Sequence, residues 1–225
     1  MQLSSLGLGT YLGAPDPATD ARYVEAVLTF FQANGTVFDT AANYGAGHSE
    51  RLLGQAFKDR RDKVVIATKF GYCLDEAART VINYDVKEEE SNVASHLRDN
   101  LADSLRRLGT DTIDIYQLHV WGLSIDRALE AREILEDLVK EGKIRTYGWS
   151  TDRADAIEAF STSQNCGVVQ QQLSVLDGNM ELLALCEKRN LASINRGPLG
   201  MGSLTGKFAL ESTFPENDVR RHAQW

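Results

Sequence analysis

Short apolar runs rich in β-branched residues alternate along this chain with stretches whose apolar positions recur at helical spacing. The runs predict strands that begin near Ser5, Thr36, Val64, Ile113, Ile144, Gly167 and Leu191. Between the first two, Val24, Val27, Leu28 and Phe31 form an i, i+3, i+4, i+7 stripe. That helix stops at Asn34-Gly35, a pair suited to a left-handed C-cap. Val93, Leu97, Leu101, Leu105 and Leu108 mark a second helical face, closed by Arg106-Arg107 in its last turn and Gly109 after it. Leu129, Ile134, Leu135, Leu138 and Val139 mark a third, ended by Gly142. Strands alternating with amphipathic helices imply right-handed βαβ units on a parallel sheet.

Most strand-to-strand intervals run about 20 to 30 residues, as a strand–helix repeat requires. The interval from Lys69 to Ile113 is longer, and its polar, acidic stretch from Tyr72 to Glu90 reads as an extended loop over the mouth of a barrel. Seven strands and six complete helices are expected. A closed eight-stranded barrel needs one more strand and about two more helices. The expectation is therefore an α/β fold, a (β/α)8 TIM barrel that stops after its seventh strand. It would form one domain over residues 1–225, without the last strand and helices. Such a barrel leaves two strands with unpaired edges, which promote association or need covering, so the expectation is either a homo-oligomer or a less stable chain.

Composition narrows the class. The chain has 225 residues, 43% hydrophobic and 25% charged, which excludes wholesale disorder. Its net charge of −8 repels phosphate backbones, so a nucleic-acid partner is not expected. No run of 18 apolar residues is present, so no membrane span is expected. The start, Met-Gln-Leu-Ser-Ser, does not resemble a secretory signal. Cys73, Cys166 and Cys186 are widely spaced and suit free thiols in a reducing cytoplasm.

Four polar residues then stand out, each at or just past a strand end: Asp39, Tyr44, Lys69 and His119. Singly, each has an ordinary reading as a turn residue, a packing aromatic, a snorkelling cation or a hydrogen-bonded structural histidine. Jointly they differ, because strand ends of one polarity meet on one face of a parallel barrel. Adding hydride to a carbonyl leaves negative charge on oxygen, so a proton must arrive as well. A free tyrosine has a pKa of about 10, and a nearby lysine would lower it. Asp39 would hold Lys69 charged and oriented, and His119 would orient and polarise the carbonyl. The histidines, at 48, 96, 119 and 222, lack any metal-ligand spacing, so no metal is expected.

Hydride chemistry implies a nicotinamide cofactor. Gly7, Gly9 and Gly13 do not complete a Rossmann fingerprint, because the sixth position is Leu12 and no acidic residue follows at ribose distance. The better candidate is the glycine-rich run Arg196 to Lys207 after the seventh strand, whose loop amides and Lys207 suit a pyrophosphate.

These residues resemble the aldo-keto reductase family. The resemblance lies in Phe38-Asp39-Thr40-Ala41 with Asn43-Tyr44-Gly45, in Ser49-Glu50 with Leu53-Gly54, and in Ala67-Thr68-Lys69. It continues in Ser104 to Gly109, Asp114 to His119, Glu141 to Arg145, and Pro198-Leu199 through Lys207. It implies a (β/α)8 barrel that binds an extended nicotinamide dinucleotide and reduces a small-molecule aldehyde or ketone. By match, Tyr44 is the acid, Lys69 and Asp39 tune it, and His119 orients the substrate. Thr10 and Asp39 would face the nicotinamide end, and Ser150 and Gln170 would hold the carboxamide. Leu199, Gly200, Gly202 and Lys207 match the pyrophosphate loop. Arg196 falls where many members carry an aromatic that stacks on the nicotinamide, and Thr151 where an asparagine is common. The family continues past Trp225 through an eighth strand and helices that grip the adenosine 2′-phosphate. NADP is the cofactor the resemblance implies, with NAD also open. A regulatory nucleotide-binding protein on the same fold is the main alternative function, and a metal-dependent barrel hydrolase is disfavoured.

Overall fold

The computed structural model describes residues 3–11, 16–82, 92–209, 211–214 and 218. Seven parallel strands form one sheet: β1 (Gly7–Gly9), β2 (Val37–Asp39), β3 (Val65–Phe70), β6 (Ile113–Leu118), β7 (Ile144–Ser150), β8 (Cys166–Gln172) and β9 (Ala192–Arg196). They lie side by side in that order, so each strand pairs with the next across an intervening segment. Among the described residues β1 and β9 are not paired with each other, and the sheet is an open barrel.

A bond across the sheet shows how strongly it curls. Asp39 on β2 and Gln170 on β8 lie four strand spacings apart, about 19 Å in a flat sheet. Gln170 Nε2 nevertheless donates to Asp39 Oδ1 at 2.9 Å. The interior-facing side chains of opposite strands therefore meet, as in a barrel.

Among the described residues six α-helices cover the outside: α1 (Pro17–Gln32), α2 (His48–Ala56), α3 (Val93–Leu108), α4 (Ile125–Lys140), α5 (Ala154–Phe160) and α6 (Met180–Arg189). Asp16 caps α1 by accepting from the amides of Ala18 and Thr19, with Pro17 opening the helix. The α3 face lies as the periodicity predicts, with Val93, Leu97, Leu101 and Leu108 buried. Its cap, Gly109, has φ 63, a left-handed conformation that glycine adopts without a Cβ clash. In α4 the buried stripe is Ala128, Ala131, Leu135 and Leu138, whereas Leu129 and Ile134 lie to its sides. The alanines decide this, because short side chains let the helix seat closely on the sheet.

One expectation is corrected. The first part of the stretch read as an extended loop forms a two-stranded antiparallel hairpin, β4 (Cys73–Asp75) and β5 (Thr80–Ile82). Asp75 Oδ1 accepts from the Ala78 amide at 2.8 Å and closes its turn. The remainder of that stretch, 83–90, lies outside the described residues.

Candidate active site

Asp39 ends β2, and its backbone oxygen accepts from both Thr10 N (2.9 Å) and Thr10 Oγ1 (3.0 Å), which ties the end of β1 to it. Its carboxylate points inward to Lys69 on β3. Lys69 Nζ donates to Asp39 Oδ1 at 2.9 Å, Asp39 Oδ2 at 2.8 Å and the Thr40 carbonyl at 2.7 Å. Only 1% of Lys69 is exposed, so its Nζ is met by these three acceptors rather than by water. Gln170 extends the chain of bonds, because Ser150 Oγ donates to Gln170 Oε1 at 3.2 Å. Ser150 and Gln170 are register partners on β7 and β8, which explains that contact. The Thr151 amide donates to the Gln170 carbonyl at 3.0 Å, and the Thr151 side chain is fully buried.

Tyr44 lies in the loop after β2. Its ring sits 5.2 Å from Lys69 Nζ and meets the Tyr11 ring edge-on at 5.2 Å. Burial pushes the phenol pKa above its usual value, and the Lys69 ammonium opposes that rise without reversing it. Lys69 thus acts in the expected direction, lowering the phenol pKa, while burial outweighs it and sets the net rise.

His119 follows β6, and its amide donates to the Phe70 carbonyl at 2.9 Å. Its ring faces Tyr44 at 6.2 Å and Tyr72 at 5.7 Å, both edge-on. Burial lowers its pKa to about 3, with Lys69 and Arg196 adding repulsion, so the imidazole is neutral. Its Nδ1 is a buried nitrogen with no hydrogen-bond partner among the described residues. A neutral, pre-placed imidazole next to a phenol and an ammonium can hold a polar oxygen without adding a charge of its own.

The structure therefore brings Asp39, Tyr44, Lys69, His119, Thr10, Ser150, Thr151 and Gln170 together. Arg196, at the end of β9, pairs with Asp152 Oδ2 and lies over the Trp121 ring at 5.9 Å. Asp152 itself is held by the amide of Gln172 at 2.6 Å. Leu199, Gly200, Gly202 and Lys207 lie in the turn-rich segment after β9, where Gly200, Met201 and Gly202 all have positive φ. Among the described residues no hydrogen bond or ring contact joins that segment to the Asp39–Lys69 group. Asp152, Tyr11, Tyr72 and Trp121 were not singled out from the sequence, although each lies within three residues of a candidate: Ser150, Thr10, Lys69 and His119 respectively.

The family model for the aldo/keto reductase family matches residues 5–224. The aldo-keto reductase YhdN of Bacillus subtilis is 30% identical, and the match covers 99% of this chain and 66% of that protein. The NADH-specific methylglyoxal reductase of Escherichia coli is 32% identical, over 91% of this chain and 66% of that protein. The chain thus spans just under two thirds of the length of these curated relatives. Among solved structures, the glycerol dehydrogenase of Gluconobacter oxydans superposes with a TM-score of 0.82 at 28% identity, over 97% of this chain and 67% of that one. An aldo/keto reductase of Klebsiella pneumoniae in complex with NADP and acetate superposes with a TM-score of 0.74 at 28% identity, over 93% and 70%. With its barrel-type sheet and a family match across nearly its whole length, the chain belongs to the aldo/keto reductase family.

Proposed function

We propose that this chain reduces an aldehyde or ketone to an alcohol with a nicotinamide dinucleotide, and catalyses the reverse oxidation. The observation that carries the reading is the bond network of Lys69, Asp39 and Gln170 beside Tyr44 and His119.

The residues present fit the cofactor. A carboxamide needs both donors and acceptors, and Ser150 and the Gln170 amide supply both kinds from two adjacent strands. Successive positive-φ residues at 200–202 turn the backbone sharply, as in loops that gather amides around an anion, and the exposed Lys207 follows them. When bound, a reduced nicotinamide supplies the hydride. The chain's own residues then handle the proton and the oxygen. His119 gives an N–H to the carbonyl oxygen and fixes it. Tyr44 transfers its phenolic proton to that oxygen as negative charge develops. Lys69 stabilises the phenolate that remains, and Asp39 keeps Lys69 charged and aimed. Hydride and proton together complete the alcohol.

NADP(H) is the proposed cofactor, as a solved relative is in complex with NADP. NAD(H) is the second reading, favoured by the relative that is an NADH-specific methylglyoxal reductase. Small oxygenated carbonyls are the proposed substrates, since relatives include that enzyme and a glycerol dehydrogenase. The test follows oxidation of NADPH and of NADH by this chain against methylglyoxal, glyceraldehyde, dihydroxyacetone and benzaldehyde. Carbonyl-dependent oxidation is expected. Tight cofactor binding with no oxidation would instead favour a regulatory nucleotide-binding protein.

A further inference from the structure

Away from the reacting groups, one carboxylate collects ion pairs from two helices. Glu76 lies in the turn of the β4–β5 hairpin. Its Oε1 accepts from Arg106 Nη2 at 2.7 Å and Arg107 Nη1 at 2.8 Å, and its Oε2 accepts from Arg51 Nη1 at 2.6 Å. Burial works to raise the Glu76 pKa, and the bonds from Arg107 and Arg106 outweigh it and leave the carboxyl below its usual range.

Two of the arginines that grip Glu76, Arg107 and Arg51, also bond the scaffold of the active site. Arg107 Nε donates to the buried Glu50 at 2.6 Å, and Glu50 accepts from Thr68 Oγ1 at 2.6 Å, one residue before Lys69. Arg51 Nη2 donates to the Ala46 carbonyl at 3.3 Å, two residues after Tyr44. Arg107 also packs under the same loop, so closely that a Cβ on Gly47 would lie 2.4 Å from its Cδ. On the other side of the clamp, the hairpin joins β3 through Gly71 and Tyr72. Tyr72 lies edge-on to His119, with its hydroxyl 3.5 Å from the His119 carbonyl. The hairpin is therefore referenced to the segments that carry Tyr44 and Lys69, and it presents Tyr72 to His119.

We propose that Glu76 is a positioning residue: its clamp on Arg51, Arg106 and Arg107 seats the hairpin so that Tyr72 walls His119 and narrows the substrate mouth. The proposal rests on the reductase reading only for its kinetic effect. Removing the Glu76 carboxylate leaves the Arg107–Glu50–Thr68 bonds in place, so the groups that move protons keep their geometry. What is lost is the wall, which acts on substrate binding and on the surroundings of His119. The charged and titratable groups facing that ring are Lys69 from β3, Arg196 from β9, Tyr44 and Tyr72.

The test compares the unsubstituted chain with Glu76→Ala, Glu76→Gln and Tyr72→Ala. It measures steady-state kinetics, melting temperature and the protonation of His119 by histidine-labelled NMR. In Glu76→Ala, KM should rise about tenfold with kcat changed less than about threefold. The His119 midpoint should rise by about one pH unit or more as water reaches the ring. Tyr72→Ala should reproduce both effects with the clamp intact. Glu76→Gln removes the charge at similar size and should shift both in the same direction. Unchanged KM and His119 midpoint in a folded Glu76 variant overturn the proposal, as does an unchanged midpoint in Tyr72→Ala. Collapse of the fold in both Glu76 variants overturns it too, since Glu76 would then serve folding rather than position. If no carbonyl drives cofactor oxidation in the unsubstituted chain, the reductase reading fails, and the His119 titration alone decides the role of Glu76.

Discussion

Lys69 donates to three oxygens while almost wholly buried, which makes it the residue on which the site's electrostatics turn. Lys69→Met keeps the volume and removes the charge. Tyr44 then loses the cation that opposes its raised pKa, and Asp39 loses its partner. The expected outcome is a fall in turnover of about 100-fold or more. Stability should drop by about 3 kcal/mol, the lower end for breaking such a pair because Asp39 stays partly exposed. Steady-state kinetics and denaturant melts check both, and wild-type turnover in the variant contradicts the role. His119 carries a second prediction. Its ordinary pKa of 6.5 falls to about 3 on folding. Below pH 6.5 the unfolded chain takes up a proton that the folded chain refuses, so stability is lost as pH falls from 6.5 toward 3 and is unaffected above 6.5. The limit is about 1.4 kcal/mol per pH unit, reduced by the ring's partial exposure. His119→Asn should flatten the fall of melting temperature in that window, and a curve that stays parallel to the wild type contradicts it. At this scale the convergence of Asp39, Tyr44, Lys69 and His119 was legible, because each sits at a strand end or in the loop that follows one. The Asp152–Arg196 pair was not, because an ion pair between residues 44 positions apart leaves no local pattern.

Helices α2 and α3 approach one another at Gly54, where a Cβ would lie 2.6 Å from the Leu108 carbonyl oxygen and 2.9 Å from that of Arg107. A backbone oxygen cannot move aside like a flexible side chain. Gly54→Ala should therefore destabilise by about 2 kcal/mol despite the better helix propensity of alanine. A denaturant melt reads this, and a neutral or stabilising substitution would show that the helices separate freely. The same packing places Arg107 between Glu50 and Glu76, so the spacing of α2 and α3 supports the clamp on the hairpin. The strands of the main sheet were readable within two residues of where they begin, most clearly β3, whose six residues are all buried in a largely apolar run. The hairpin was not readable. Its strands are three residues each and are set among polar and acidic neighbours, so no alternation is long enough to register. Its position depends on Glu76, whose partners lie on other elements.

For the molecule as a whole, the decisive property is curvature. Groups from β2, β3, β7 and β8 and from the loops after β2 and β6 share one site only because the sheet bends far enough for Gln170 to reach Asp39. Strand alternation in the sequence implied a parallel sheet, and the placement of polar residues at strand ends implied a common face. The inward bonds that join opposite strands were not legible, since register and curl arise from packing over the full sheet. On the proposed function, this convergence makes Tyr44 the proton donor of a nicotinamide-dependent reductase. Tyr44→Phe tests it most directly, because the ring still packs and only the hydroxyl is lost. One experiment measures NADPH affinity by fluorescence titration and single-turnover NADPH oxidation with a reactive aldehyde. Affinity should stay unchanged, with oxidation slowed by about 100- to 10,000-fold. Near-native oxidation in a folded Tyr44→Phe chain that still binds NADPH would contradict it.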